Sequence, residues 1–298
     1  MTEKIKCVVW DLDNTLWTGI MAEGGSVTLK PGIKEVLETL DQRGILQSIS
    51  SKNNYQDAVK KLEEYGIRHY FLYPQISWSS KAEAIKTVAE KLNISTNTFA
   101  FVDDDITERE EVKFSHPEVL VIDAAEYMNI VNMDRFIPDT ITEDAKKRRL
   151  MYQSEELRKK EEESFTGSKE EFLKTLGLKL TVSNVTYDDL KRVEELTLRT
   201  HQLNSTGYTY SYEELKSLTD SKNHVFLIAE LKDRFGDYGK IGICLMEKGQ
   251  DRYIIKLLLM SCRVMSKGIG TAFLIHCIRL AQSENKDLYA EFLHTDRN

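Results

Sequence analysis

Over the first 125 residues, short apolar runs alternate with stretches whose apolar residues recur every three or four positions. KIKCVVWDLD (4–13) reads as a strand, GIKEVLETLDQRG (32–44) as a helix stopped by a glycine, and ILQSISS (45–51) as a second strand. NYQDAVKKLEEYG (54–66) is helical and again glycine-closed, YFLYPQISW (70–78) is a short strand region, and SKAEAIKTVAEKLNI (80–94) is a helix. TFAFVDDD (98–105) and EVLVID (118–123) read as strands. Strands alternating with helices of roughly 10–15 residues predict an α/β fold with a doubly wound parallel sheet. Ligands of such sheets bind at the carboxyl ends of the strands. The polar residues at those ends are Asp11 and Asp13, Ser50 and Ser51, and Asp103 to Asp105, so the three groups are expected to meet at one edge.

Beyond residue 140 the pattern changes. TEDAKKRRLMYQSEELRKKEEESFTGSKEEFLKTLG (142–177) is dense in both charges at helical spacing, as in solvated linking helices, and its run Lys146-Lys147-Arg148-Arg149 reads as a wet helix face. A second α/β unit follows. LKLTVSNV (178–185), HVFLIAELKD (224–233), GKIGICLMEK (239–248), YIIKLLLMSCRV (253–264) and DLYAEFLHT (287–295) read as strands. DDLKRVEELTLRTHQL (188–203) and KGIGTAFLIHCIRLAQSE (267–284) read as helices. The predicted organisation is a phosphoryl-transfer domain over 1–140, a charged helical linker over 141–176 and a second α/β domain over 177–298.

Composition narrows the function classes. With 298 residues, 41% apolar and 30% charged, the chain has the make-up of two globular domains, each able to bury a core. A net charge of −7 argues against a broad nucleic-acid-binding surface. No apolar run approaches the ~20 residues of a membrane span. The N-terminus enters a strand-like run at once, with no signal-peptide core. Cys7, Cys244, Cys262 and Cys277 form no CxxC pair, which suggests reduced thiols and a cytoplasmic protein without nucleic-acid or membrane partners.

The paired aspartates of DLDNT pose the chemical question. An aspartate fixed at a strand end can attack phosphorus, and a second carboxylate two residues on can protonate the leaving group and later deprotonate water. Attacking carboxylate and phosphoryl group are both anionic, so the reaction needs Mg²⁺ on oxygen ligands, a hydroxyl and an ammonium. Asp11 is the candidate nucleophile and Asp13 the candidate acid/base. Ser51 is the candidate hydroxyl donor, with Lys52 and Asn53 beside it, and Lys81 is the ammonium. Asp103 and Asp104 join Asp11 and Asp13 as candidate metal ligands. Glu108 and Arg109 are expected to cap and pair on the next helix. A DxD pair alone is a common turn or cap, but DxDxT, a serine, a lysine and an acidic pair in this order resemble the haloacid dehalogenase (HAD) superfamily. That resemblance adds Thr15 to the phosphate-binding set. Only WTGIMAEGGSVTLKPG (17–32) separates DLDNT from the first helix, enough for a flap but not for a large cap, so an open site is expected.

KCVVWDLDNTLW, SSKNN, WSSK and FVDDDITERE resemble a narrower group, the FkbH-like glyceryltransferase/phosphatase family. RTHQLNST (199–206) and MSCRVMSKGIG (260–270) resemble that family's second-half motifs, with His201 in place of an Asn and Ser266-Lys267 in place of Gly-Arg. The resemblance implies that a three-carbon unit is taken from 1,3-bisphosphoglycerate, dephosphorylated, and delivered as glyceryl to the phosphopantetheine thiol of an acyl carrier protein in polyketide assembly. SCRVMSKGIGTAFL (261–274) also resembles the diphosphate-binding loop of GNAT-type acetyltransferases, where helix-opening amides face a phosphate and Gly268 and Gly270 take the loop positions. Met265 stands where that motif has Gln or Arg. By the same resemblance Cys262 is a candidate thioester carrier, with a small buried packing role as the alternative. Gln202 and Asn204 are candidate binders of the acyl unit, with helix-end capping as theirs. Cys7 lies ~13 Å from the Asp11 end of its strand, at about 3.3 Å per residue, and reads as packing. The GNAT fold continues past DLYAEFLHT, so the second domain is expected to be incomplete at its C-terminus.

The expected function is a bifunctional Mg²⁺-dependent phosphatase and glyceryltransferase. A plain phosphatase of a small metabolite and a non-catalytic carrier-docking module are the alternatives.

Overall fold

The computed structural model describes residues 3–21, 26–199, 208–261, 264–265 and 267–291. The chain divides into two compact units, Met1–Gln153 and Ser154–Asn298.

The first unit runs β1 (Cys7–Trp10), a hairpin of β2 (Trp17–Thr18) and β3 (Thr28–Leu29), α1 (Ile33–Gln42), β4 (Leu46–Ser51), α2 (Tyr55–Glu64), β5 (Gln75–Ile76), α3 (Lys81–Leu92), β6 (Phe99–Asp103), α4 (Ile106–Ser115), β7 (Leu120–Asp123) and α5 (Glu143–Lys146). Five strands form one parallel sheet in the order β5-β4-β1-β6-β7, the doubly wound class the sequence pattern predicts. Every residue of β1 is buried because helices cover both faces. Side chains alternate along a strand. Val8 and Trp10 therefore pack with Leu37, Leu40 and Leu62 of α1 and α2, while Cys7 and Val9 pack with Ile85, Val88 and Val112 of α3 and α4. The chain builds outward from β1 to β4 and β5, then returns to place β6 and β7 on the other side. β1 thus lies at the switch point where an open α/β sheet leaves a crevice at its carboxyl edge. Among the described residues between β1 and α1 there is only the β2–β3 hairpin, a flap of the size expected.

α6 (Arg148–Ser164) begins among residues of the first unit and ends among those of the second. Its opening basic run departs from the expected solvated face. Arg149 forks onto the Asp41 carboxylate at 2.8 and 3.1 Å, and Arg148 donates to the Gly44 carbonyl at 2.5 Å. Gly44 has φ +70, and a Cβ there would meet the Ala145 carbonyl oxygen at 2.7 Å, so only glycine admits this approach.

The second unit continues with α7 (Lys169–Thr175), β8 (Lys179–Asn184), α8 (Leu190–Arg199), α9 (Tyr212–Asp220), β9 (His224–Asp233), β10 (Gly236–Lys248), β11 (Arg252–Met260), α10 (Ile269–Ser283) and β12 (Asp287–Ala290). Its sheet order is β12-β11-β10-β9-β8, antiparallel except for the β11–β12 pair. One face packs Cys244, Met246, Tyr253 and Ile255 under Phe273 and Cys277 of α10. The other packs Ile243, Leu245, Leu257 and Leu259 under Leu190, Val193 and Leu215 of α8 and α9. α9 has no counterpart among the elements read from the sequence, although Ser211 and Glu214 form a reciprocal capping box at its start. Cys7, Cys244 and Cys277 are buried free thiols.

Candidate active site

β1 delivers Asp11 to the sheet edge, where its backbone N–H donates to the Val102 carbonyl of β6 at 2.9 Å. Ser80 caps α3 through the Glu83 amide, which makes Lys81 the first helical residue and turns its stem inward. Lys81 is 3% exposed. Its ammonium donates to Asp11 Oδ1 and to the Ser50 carbonyl at 2.7 Å, and stands 3.2 Å from Asp103 Oδ2. Burial drags the ammonium down, but Asp11 and Asp103 outweigh it and hold Lys81 above its usual range, charged. Burial pushes Asp11 up against the opposing pull of Lys81 and the Ser51 hydroxyl. Burial and then the charge of Asp11 push Asp103 up to about 7, with Lys81 again opposing. One ammonium is therefore shared by two buried carboxylates, leaving a net negative charge in the sheet edge.

The donor set fits a hard divalent cation. Oxygens of Asp11, Asp103 and Asp104 lie within 4.8 Å of one another. The 3.2 Å contact from Lys81 does not have the geometry of a hydrogen bond, so buried Asp103 Oδ2 has no hydrogen-bond donor among the described residues. Carboxylate oxygens with a spare lone pair and excess negative charge suit Mg²⁺. Asp13, also a candidate ligand from the sequence, is not in this cluster. Its Oδ1 accepts from Trp17 Nε1 at 2.7 Å and from the Met21 amide at 3.2 Å, and its Oδ2 accepts from Asn53 Nδ2 at 3.1 Å. These donors fix Asp13 two residues beyond Asp11 and tie it to the flap. Asn53 Nδ2 also donates to Ser51 Oγ at 3.1 Å, and buried Thr15 donates to Asp104 Oδ1 at 3.4 Å.

Three further groups complete the edge. Lys52 donates to Glu108 Oε1 at 2.5 Å, so Glu108 pairs across the sheet and not along its own helix as expected. Asp105, not Glu108, caps α4. Arg109 Nη1 donates to the carbonyls of Asp103 and Asp104, both at 2.8 Å, and Nη2 to Asp123 Oδ2 at 2.6 Å, holding the acidic loop by its backbone. Lys30, just after the flap, is drawn down by burial while the charges of Asp104 and Asp123 oppose the shift, and its ammonium stands 5.2 Å from the Tyr127 ring centre. Nothing in the spacing of Lys30 marks it. The ERE run carries Glu108 and Arg109 but not their long-range partners.

In the second unit, Gly268 opens α10 with φ +72 and no side-chain cap. Among the described residues, a Cβ at Gly268 or Gly270 would meet nothing within 4 Å. Lys267 donates to Glu155 at 3.2 Å. Cys262, Gln202 and Asn204 lie outside the described residues.

Residues 15–113 match the haloacid dehalogenase-like hydrolase family. The matched span lies within the first unit. Solved structures similar to the chain include the N-terminal part of a Bacteroides fragilis protein containing a phosphatase domain complexed with Mg (27% identity over 44% of this chain and 40% of that one, TM-score 0.36). Another is the 3-deoxy-D-manno-octulosonate 8-phosphate phosphatase of Moraxella catarrhalis (24%, 37% of this chain and 63% of that one, TM-score 0.30). A third is a GNAT family acetyltransferase of Staphylococcus aureus (16%, 40% and 89%, TM-score 0.31). The chain spans less than two thirds of the length of the first two. None of the curated proteins matches it.

Proposed function

We propose that the first unit is a Mg²⁺-dependent phosphatase that works through a phosphorylated Asp11. The observation that carries this reading is the buried cluster at the end of β1, where Lys81 holds Asp11 Oδ1 and approaches Asp103 Oδ2, an oxygen with no hydrogen-bond donor. With Oδ1 held, Asp11 Oδ2 attacks phosphorus, the bond from phosphorus to the leaving oxygen breaks, and a protonated Asp13 gives that oxygen its proton. Asp13 then takes a proton from water as the water attacks the aspartyl phosphate, which returns Asp11 and inorganic phosphate. Ser51 and Lys81 present a hydroxyl and an ammonium to the phosphoryl oxygens. Asp11, Asp103 and Asp104 would hold Mg²⁺, which neutralises charge between the attacking carboxylate and the phosphoryl group.

The sequence resemblance supports a narrower reading, in which the substrate is 1,3-bisphosphoglycerate and the acceptor a phosphopantetheinylated acyl carrier protein. A thiol displaces phosphate from the acyl phosphate and forms a thioester, while the ester phosphate goes to Asp11 and then to water. Cys262, Gln202, Asn204, Gly268 and Gly270 are the residues proposed for the acyl-transfer half. Intact-protein mass spectrometry tests both halves, with a phosphopantetheinylated carrier protein incubated with the chain, Mg²⁺ and 1,3-bisphosphoglycerate. A glyceryl adduct on the carrier is the expected result. Free phosphate beside an unmodified carrier would leave the phosphatase alone standing.

A further inference from the structure

Asp103 ends β6, and Asp104 stands at the bend that follows it. In a strand, successive side chains point to opposite faces of the sheet and successive carbonyls to opposite neighbours. Here carboxylate oxygens of both residues lie within 4.8 Å of each other and of Asp11, so the chain has to leave the extended form between them. Both carbonyls also turn to a single nitrogen, Arg109 Nη1, at 2.8 Å each. The guanidinium is held from its other side by Asp123, whose Oδ2 takes Nη2 at 2.6 Å and whose Oδ1 takes the Ala125 amide at 2.8 Å. Asp123 closes β7 and pairs with Asp103 across the ladder. The clamp therefore runs from the end of one strand to the bend after its neighbour. Arg109 lies in the first turn of α4, where a cation opposes the helix dipole, so its own helix gains nothing from the charge. Its bonds to the two aspartates go to their backbone and not to their carboxylates.

Resting on the Mg²⁺ site proposed above, we infer that Arg109 is a positioning residue that makes the Asp11, Asp103 and Asp104 cluster prefer Mg²⁺ to Ca²⁺. Mg²⁺ demands near-ideal octahedral geometry, whereas Ca²⁺ accepts looser and more variable arrangements. A bend locked by a planar fork keeps two of the three carboxylates in one arrangement. A compact ammonium in its place keeps the charge but loses the fork. Groups that orient metal ligands in this way are worth roughly 10- to 100-fold in metal affinity.

The test is calorimetric titration of Mg²⁺ and of Ca²⁺ into the wild type, Arg109→Lys, Arg109→Met and Asp123→Asn. Tryptophan-monitored unfolding in EDTA checks that each variant is folded. Arg109→Lys is expected to weaken Mg²⁺ by ~10-fold or more and Ca²⁺ by clearly less, so that the preference falls. Asp123→Asn, a change of a half-exposed side chain outside the cluster, should shift the preference the same way by a smaller factor. Equal weakening of both cations would reduce Arg109 to a support of the fold and overturn the inference. A purely electrostatic role predicts another pattern, in which Arg109→Met tightens both cations and Arg109→Lys changes neither, and that result would overturn it too. A wild type that binds neither cation would sink the metal site and this inference together. Phosphate release from p-nitrophenyl phosphate and 1,3-bisphosphoglycerate, measured in parallel, separates the two levels. A preference that shifts as expected in a chain that releases no phosphate keeps Arg109's role and sinks the phosphatase reading. Mg²⁺-dependent release with an unchanged preference does the reverse.

Discussion

Each unit buries an ionic cluster, and the two clusters are finished differently. In the second unit Asp233 accepts from Arg158 Nε at 2.6 Å and Nη2 at 2.9 Å, from the Tyr238 hydroxyl at 2.9 Å, and from the amides of Phe235 and Gly236. Arg158 also reaches Glu155 at 3.2 Å and stacks on the Tyr238 ring at 3.8 Å, while Lys267 takes up Glu155. Both cations and both carboxylates are matched, and both Asp233 oxygens have donors. In the first unit Asp11 and Asp103 share one lysine, and an Asp103 oxygen has no hydrogen bond. The closed cluster is complete within the fold, and the open one is the site proposed above for Mg²⁺ and a phosphoryl group.

Several experiments would break or sharpen this contrast. The largest effect is expected from Asp11→Asn, which should cut Mg²⁺-dependent phosphate release by at least about 10³-fold. Because that change takes one charge from an over-acidic cluster, the unfolding midpoint of the first unit should be no lower. All three tryptophans, Trp10, Trp17 and Trp78, lie in the first unit, so tryptophan fluorescence reads its unfolding alone. Asp233→Ala is expected to do the opposite, sparing phosphate release while destabilising the second unit by about 3 kcal/mol, since buried Arg158 keeps Glu155 but loses the carboxylate that takes both Nε and Nη2. Circular dichroism in urea, set against the tryptophan signal, would show it. Equal losses in both signals would contradict the division.

Acidity should separate the clusters by the sign of their slopes. With metal chelated, Asp103 titrates near 7 in the folded protein. The unfolded chain releases that proton near pH 4, so the first unit should lose stability as pH rises from about 4 to about 7. Burial raises Asp233, but Arg158 and the hydrogen bonds from Tyr238 and Phe235 outweigh it and hold the carboxyl below its usual range. Its contribution is present above about pH 4 and fades as pH falls through the folded value. Urea titrations across pH in EDTA would fail the comparison if both slopes had one sign. Mg²⁺ at a hundred times its Kd should then raise only the tryptophan-monitored stability, by about 2.7 kcal/mol. The smallest effect is expected from Tyr238→Phe, a loss of about 1 kcal/mol in the second unit from one hydrogen bond among several, read from the same urea curves.

The parallel sheet and the meeting of Asp11, Ser51, Lys81 and Asp103 were legible in sequence because strand order and strand ends are local information. A DxD after a buried run, a serine ending the next strand and a lysine opening a helix each carry their position with them. Arg158 lies in a stretch whose charge spacing predicts a solvated helix, yet it is 2% exposed. Its partner Asp233 lies 75 residues away, and helical periodicity cannot show which charged face another element will cover. Arg109 was illegible in the same way, since its work is done on the carbonyls of Asp103 and Asp104, and backbone acceptors leave no residue signature. α9 carries a local signal in the Ser211 and Glu214 spacing of its capping box, although it has no counterpart among the elements read from the sequence.

α6 puts the boundary of an element and the boundary of a unit in different places. A fragment cut at residue 140, where the charge pattern changes, would lose Arg148 and Arg149. It would strip the Asp41 carboxylate and the Gly44 carbonyl at the end of α1 of their donors. A fragment carried to Gln153 keeps both contacts, along with the Tyr152 hydroxyl on the Leu92 carbonyl. The first unit's natural edge for dissection is therefore inside a helix, 13 residues beyond the point where the composition turns.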